Sequence, residues 1–98
     1  MVFSSPSSAT VLDRSIQTVR YPEARVIVLD DDINTFEHVM NALCKIIPGM
    51  TKDRARSLTT KVDTDGSAEV WCGPLEQAEL YHQQLLNEGL TMAPLERT

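Results

Sequence analysis

The chain has 98 residues, 42% of them apolar and 23% charged, with a formal net charge of −5. That length accommodates one domain around one modest core, and the composition is globular rather than disordered. The acidic balance argues against nucleic acid and anionic membrane surfaces, which bind through Lys and Arg, and fits cationic partners.

No apolar run approaches the ~20 residues needed to span a bilayer. Met1-Val2-Phe3-Ser4-Ser5 carries no basic cluster ahead of an apolar segment, so no secretory signal is expected. Cys44 and Cys72 are too few for a disulfide framework and lack metal-ligand spacing. Both read as reduced, buried, small apolar residues, which points to a reducing compartment, the cytoplasm.

Residues 1–20 read as a flexible extension: Ser4-Ser5-Pro6-Ser7-Ser8 is polar and of low complexity, and Val11, Leu12 and Ile16 show no sustained period. The ordered domain is expected over residues 21–98. Val26-Ile27-Val28-Leu29 predicts a buried strand that ends at Asp30-Asp31-Asp32, since three adjacent carboxylates cannot share a core. Asn34 and Glu37 resemble a capping box, and Phe36, Val39, Met40, Leu43, Ile46 and Ile47 follow on one helical face closed by Pro48-Gly49. Thr51 offers a second N-cap, and Ala55, Leu58 and Val62 mark a shorter helix before a turn at Asp63-Thr64-Asp65-Gly66. Ser67–Cys72 predicts a strand with Ala68, Val70 and Cys72 on one side. Pro74 opens a third helix striped by Leu75, Ala78, Tyr81 and Leu85 and ended by Gly89; Leu90-Thr91-Met92-Ala93 makes a last short strand. The order is βααβαβ, an α+β domain with three helices packed on one face of a small three-stranded antiparallel sheet.

The acid cluster is the sharpest chemical feature. Hard cations favour clustered carboxylates, but a calcium loop fails: with Gly66 as the loop glycine, the first ligand position is Lys61 and the twelfth is Cys72. A solvated turn with helix-capping acids is the plainer reading. His38 and His82 fall on predicted helices away from any nucleophile, and there is neither a nucleophile elbow nor a glycine-rich phosphate loop, so catalysis is not expected.

The stretch Val26–Val39, VIVLDDDINTFEHV, resembles the ClpS adaptor signature: an apolar strand, then Asn-Asp-Asp, then a helix opening with Thr, a bulky apolar residue and Glu. Asp53-Arg54-Ala55, Val62-Asp63, Pro74-Leu75-Glu76-Gln77-Ala78-Glu79 and Met92-Ala93-Pro94-Leu95-Glu96-Arg97 resemble later parts of the family, and Gln77–Leu86 looks most like its cyanobacterial and plastid branch. The resemblance covers residues 21–97. It implies a monomeric, non-enzymatic adaptor without cofactor or metal, partnering neither nucleic acid nor membrane. Such an adaptor would grip the free α-amine and bulky apolar first residue of N-degron substrates and hand them to the N-terminal domain of a Clp-family AAA+ unfoldase of the ClpC or ClpA type.

By resemblance, Asp30 takes the place of the motif's Asn, and Asp31 and Asp32 match its two acids. Together with Asp63, which stands where the family has a His, they would hold the amine. Val28, Leu29, Asn34, Phe36, Val39 and Val62 would line the side-chain pocket, along with Thr59 where a Met is usual and Thr91 where a Leu is usual. Glu76 matches an acid used in docking to the unfoldase, and Tyr81 replaces a docking Lys. These departures leave a second reading open, a regulatory subunit that docks on the unfoldase with altered or lost N-degron recognition. A third, a small metal-dependent enzyme, would need a divalent ion on Asp30–Asp32.

Overall fold

Alternation organises the first element. Ala24, Val26 and Val28 are buried while the residues between them are half-exposed, the period of a strand with one face in the core. The computed structural model describes residues 22–98, so the extension expected over residues 1–20 lies outside the described residues. Glu23–Leu29 forms β1, the middle strand of a three-stranded antiparallel sheet in the order β2-β1-β3. The other elements are α1 (Phe36–Ile46), α2 (Lys52–Asp65), β2 (Ser67–Pro74), α3 (Leu75–Asn87) and β3 (Glu96–Arg97). The βααβαβ order and the three-helix, three-strand architecture are those expected from the sequence.

Helix α1 is capped by Thr35, not Asn34: the Thr35 hydroxyl accepts the His38 N–H at 3.1 Å. Asn34 is drawn off the cap because its side-chain amide donates elsewhere, to Asp31 and to the Gly89 carbonyl. Val39, Met40, Ala42 and Leu43 form the buried face of α1, and Ile47 closes it. Phe36, at the first turn, is 41% exposed.

Thr51 caps α2 as expected, accepting the Arg54 N–H at 3.2 Å. The helix then runs through the residues expected to turn. Ala55, Thr59 and Val62 are buried at helical spacing and carry the period onward, so Asp63, Thr64 and Asp65 form the last turn and Gly66 the cap, its N–H bonded to Val62 O at 2.9 Å.

Strand β2 holds an irregularity that its composition does not announce. Val26 pairs with Trp71 and Ile27 with Glu69, which leaves Val70 as an extra residue. Beyond this bulge the inward side is taken by Trp71 and Gly73, opposite Val26 and Ala24, and Cys72 lies opposite Arg25 on the outer face. Cys72 is therefore exposed and Cys44 only half-buried, where both were expected inside; both are free thiols. Trp71 lies over Gly73, where an added Cβ would come within 2.5 Å of the indole, and meets Tyr81 edge-on at 4.9 Å between ring centroids.

Pro74, expected as the first helical residue, is the N-cap of α3, so the helix begins one residue later, at Leu75. Ala78 and Leu85 are buried on its inner stripe, with Leu75 and Tyr81 half-buried beside them. The helix ends in a Schellman arrangement: Gly89 N–H bonds Leu86 O at 2.9 Å and Leu90 N–H bonds Leu85 O at 3.2 Å. This needs the positive φ of +91° at Gly89, which glycine takes without a Cβ penalty. The last strand also differs from expectation. Residues 91–93 make only a bridge to β1, through Val28↔Met92, and regular pairing resumes at Glu96–Arg97 against Ala24–Arg25. Pro94 has no N–H for the ladder, so the edge strand is split there.

No helix among the described residues is long and apolar enough to cross a membrane. The core is continuous from β1 through all three helices, and Leu43 is fully buried within it. We expect Leu43→Ala to cost ~2–5 kcal/mol, a large share of what so small a domain can have. Urea titration checks this; a loss below ~0.5 kcal/mol would contradict the placement of Leu43 at the centre of the core.

Candidate functional site

At the end of β1 the chain turns away from the sheet through Asp30–Asn34, and Asp31 folds back to organise the turn. Its Oδ1 accepts the N–H groups of Ile33 at 2.9 Å and Asn34 at 2.7 Å. Its Oδ2 accepts the Asn34 side-chain amide at 2.6 Å and the Thr91 hydroxyl at 2.6 Å. These donors hold the Asp31 carboxyl well below the usual carboxylate range, the Thr91 hydroxyl contributing most, then the Asn34 N–H and side chain.

The same contacts join two distant segments. Asn34 also donates to Gly89 O at 2.9 Å, and His38 Nε2 lies 2.7 Å from Glu88 O, which fixes that nitrogen as the protonated one. Lys45 pairs with the Glu88 carboxylate at 2.8 Å and lowers its pKa. On the sheet side, Leu29 N–H bonds Thr91 O and Asp30 N–H bonds Gly66 O, both at 2.9 Å. The turn after β1, the end of α2 and the segment after α3 thus meet at one point.

Between them lies a narrow pocket of about 20 Å³, lined by Val28, Leu29, Asp30, Asp31, Asn34, Val39, Val62, Leu90 and Thr91. Its walls are aliphatic and its rim acidic. Of the residues expected to hold an amine, Asp30 and Asp31 line it; Asp32 and Asp63 are exposed and do not. Asp63 nonetheless sits on the last turn of α2, whose cap carbonyl binds the Asp30 N–H.

Of the expected pocket residues, Val28, Leu29, Asn34, Val39, Val62 and Thr91 come together there. Phe36 and Thr59 do not: Phe36 is exposed, and Thr59 is buried with its hydroxyl given to Ala55 O at 2.7 Å. Leu90 was not singled out from the sequence. Its signal was the apolar residue directly after a helix-ending glycine, the position that folds back under a Schellman cap.

Of the two residues expected to dock a partner, one lies at the other end of β1 and one beside its middle. Glu76 is exposed in the first turn of α3, beside a surface groove of about 560 Å³ lined by Pro22, Glu23, Pro74, Leu75 and Glu76. Tyr81 is half-buried, its ring against Trp71. No group of three or more His, Cys, Asp or Glu side chains among the described residues is placed to hold a metal ion.

The Asp31 contacts yield a pH prediction. The folded-state pKa lies below the ordinary 3.8, so ionised Asp31 stabilises the fold fully above about pH 4–5, and that contribution is lost as pH falls towards the folded value. Asp31→Asn should therefore melt below wild type at pH 7, with the gap narrowing by pH 2–3. A gap of the same size at both pH values would show that the charge is not what organises the turn.

Comparison with known proteins places this architecture. A family model described as ATP-dependent Clp protease adaptor protein ClpS matches residues 20–97. The chain is 61% identical over 95 residues to the ATP-dependent Clp protease adapter protein ClpS of Synechocystis sp., covering 95% of this chain and 97% of that protein. It is 63% identical over 86 residues to the ClpS of Nostoc sp., covering 86% and 89%. Among solved structures, Agrobacterium tumefaciens ClpS2 bound to L-phenylalaninamide shares the fold, with a TM-score of 0.75 at 24% identity over 81% of this chain and all of that one. A family match over nearly the whole described domain, with relatives of this identity, shows that the chain belongs to the ClpS family, adaptors of the ATP-dependent Clp protease and not enzymes.

Proposed function

We propose that this adaptor binds the free α-amine and bulky apolar first residue of N-degron substrates in the pocket at the end of β1. It then delivers them, in the cytoplasm, to an unfoldase of the ClpC or ClpA type. The observation that carries this reading is the pairing of aliphatic walls from Val28, Val39, Val62 and Leu90 with an acidic rim at Asp30 and Asp31. An amino-terminal residue has the complementary chemistry, an apolar side chain beside a compact cation with three donors. The phenylalaninamide on the solved Agrobacterium protein combines the same two features, a free amine and an aromatic side chain.

The magnitudes are sufficient. Burying one apolar side chain contributes ~2–3 kcal/mol, and two charge-assisted hydrogen bonds ~1.5–3 kcal/mol each, which together approach the ~8 kcal/mol of micromolar binding. Asp31 is already saturated by its own chain, so the amine falls mainly to Asp30, with Asp32 and Asp63 supplying field from nearby. Glu76 and the groove beside it are the proposed unfoldase contact, with Tyr81 acting there through its packing on Trp71.

The saturation of Asp31 and the small volume of the pocket are the observations that favour the alternative, a docking subunit with altered or lost N-degron recognition. One experiment separates the two. Peptides differing only in their first residue (Phe, Tyr, Leu, Trp or Ala), each with a free or acetylated amine, are titrated against wild type and an Asp30→Asn, Asp63→His double variant. We expect Phe and Tyr to bind best, acetylation to abolish binding, and affinity to fall in high salt as the rim carboxylates are screened. Equal affinity for free and acetylated peptides rejects the amine site; no binding of any peptide supports the docking subunit. If the double variant matches wild type throughout, Asp30 and Asp63 are not the determinants.

A further inference from the structure

The pocket is too small for what it is proposed to hold. About 20 Å³ is room for a single water, whereas any bulky first side chain is several times larger. Some wall must therefore yield when a substrate enters.

The walls are not equally free to move. Val28 and Leu29 belong to the central strand, bonded on both sides, and Val39 and Val62 are buried on the inner faces of α1 and α2. Leu90 is 3% exposed and held by the cap of α3. What remains is the mouth, which closes between two rims: the turn Asp30–Asn34 on one side and Gly89–Thr91 on the other. Two side-chain hydrogen bonds cross it, Asn34 to Gly89 O at 2.9 Å and the Thr91 hydroxyl to Asp31 at 2.6 Å. Thr91 itself is exposed, and its backbone is tied to β1 only through Leu29 N–H. Its hydroxyl is thus the shortest link across the mouth and one that can be removed without emptying the core.

From this geometry we infer that Thr91 is a specificity-determining residue, whose hydroxyl latches the two rims of the pocket together through Asp31 and sets the size of first side chain that can enter. The inference rests on the proposed N-degron site and deepens it. Thr91 acts as a positioning residue: its hydroxyl is spent on Asp31 rather than on the substrate, and Asp31 in turn is a rim strut rather than an amine ligand. A smaller first side chain such as Leu parts the rims little enough for this bond to stretch and hold, whereas one the size of Trp parts them far enough to break it. The latch therefore discriminates against Trp relative to Leu.

The test compares wild type with Thr91→Val, which keeps the shape and removes the donor, and Thr91→Ser, which keeps the donor. Free and N-acetylated peptides beginning with Leu, Phe or Trp are titrated, with association rates recorded. We expect Thr91→Val to raise the Trp-to-Leu affinity ratio about five- to tenfold, as when one net hydrogen bond no longer opposes entry. Trp peptides should also associate faster, and Thr91→Ser should keep the wild-type ratio. A Thr91→Val ratio equal to or below that of wild type, or the same change in Thr91→Ser, overturns the latch. Equal binding of free and acetylated peptides by wild type would instead overturn the N-degron reading, so the two failures are distinct.

Discussion

The carboxylate of Asp31 receives four hydrogen bonds from two parts of the chain nearly sixty residues apart, and the site takes its form from where those donors sit. The strand before it must end at Leu29, because the next three residues are carboxylates that cannot follow Val28 into the core. Asp31 resolves the turn by accepting two backbone N–H groups ahead of α1, which would otherwise lack partners. Its second oxygen then reaches across to Thr91 and fixes the segment after α3 against the turn. A neutral residue could close the turn locally but could not accept all four donors. Because the charge is stabilised by so many donors, it is also poorly available to a ligand. The neighbouring acids are left to face outward.

Strand β1 sets the distance between the two proposed surfaces. The pocket lies beyond Leu29 at one end, and the groove beside Glu76 adjoins Glu23 at the other. At ~3.3 Å per residue, a seven-residue strand separates them by roughly 20 Å. An adaptor has to hold a substrate and a machine at the same time, and a partner docked at Glu76 leaves the pocket mouth uncovered. The β-bulge at Val70 turns Trp71 inward over Gly73 and against Tyr81, and so packs the middle of α3 onto the end of β2.

Those parts of the structure that depend on local periodicity were legible in the sequence. The buried residues of β1, the inner face of α1 at Val39, Met40 and Leu43, and the Thr51 cap all follow from spacing and side-chain type. The departures at the α1 cap and at Cys72 share one physical origin, a partner far away in sequence; the longer α2 and the split last strand have local causes. Asn34 and Thr35 are both competent caps, and the choice falls to Thr35 because Asn34 is engaged by Asp31 and by Gly89, 55 residues on. Asp63-Thr64-Asp65-Gly66 has the composition of a turn, yet the buried stripe of α2 extends the helix to Gly66. Cys72 has the right parity for the core until an extra residue in β2 reverses it, and a bulge is a property of pairing rather than of one strand. The site was legible in the same measure. Its aliphatic walls and first two acids come together as the motif implies, whereas the closure through Thr91 joins two segments that no local pattern connects.

The placement of the remaining acids runs against the stability of the elements that carry them. Asp63 and Asp65 lie in the last turn of α2, which has no basic residue, at the negative end of the helix dipole where carboxylates are unfavourable by a few tenths of a kcal/mol each. The exposed carbonyls of that helix end meet the Asp30 turn through Gly66. The result is a concentration of negative potential beside an aliphatic pocket, in a chain already at −5. Among the described residues these acids do not converge into a set of metal ligands. Potential without convergence neither coordinates a small hard ion nor strips its hydration, but it can attract a monovalent cation that arrives attached to an apolar group. The protonated α-amine of the proposed substrate, borne by a bulky first residue, is such a cation: its side chain would enter the pocket while its charge stayed at the rim, where the aspartates remain in water.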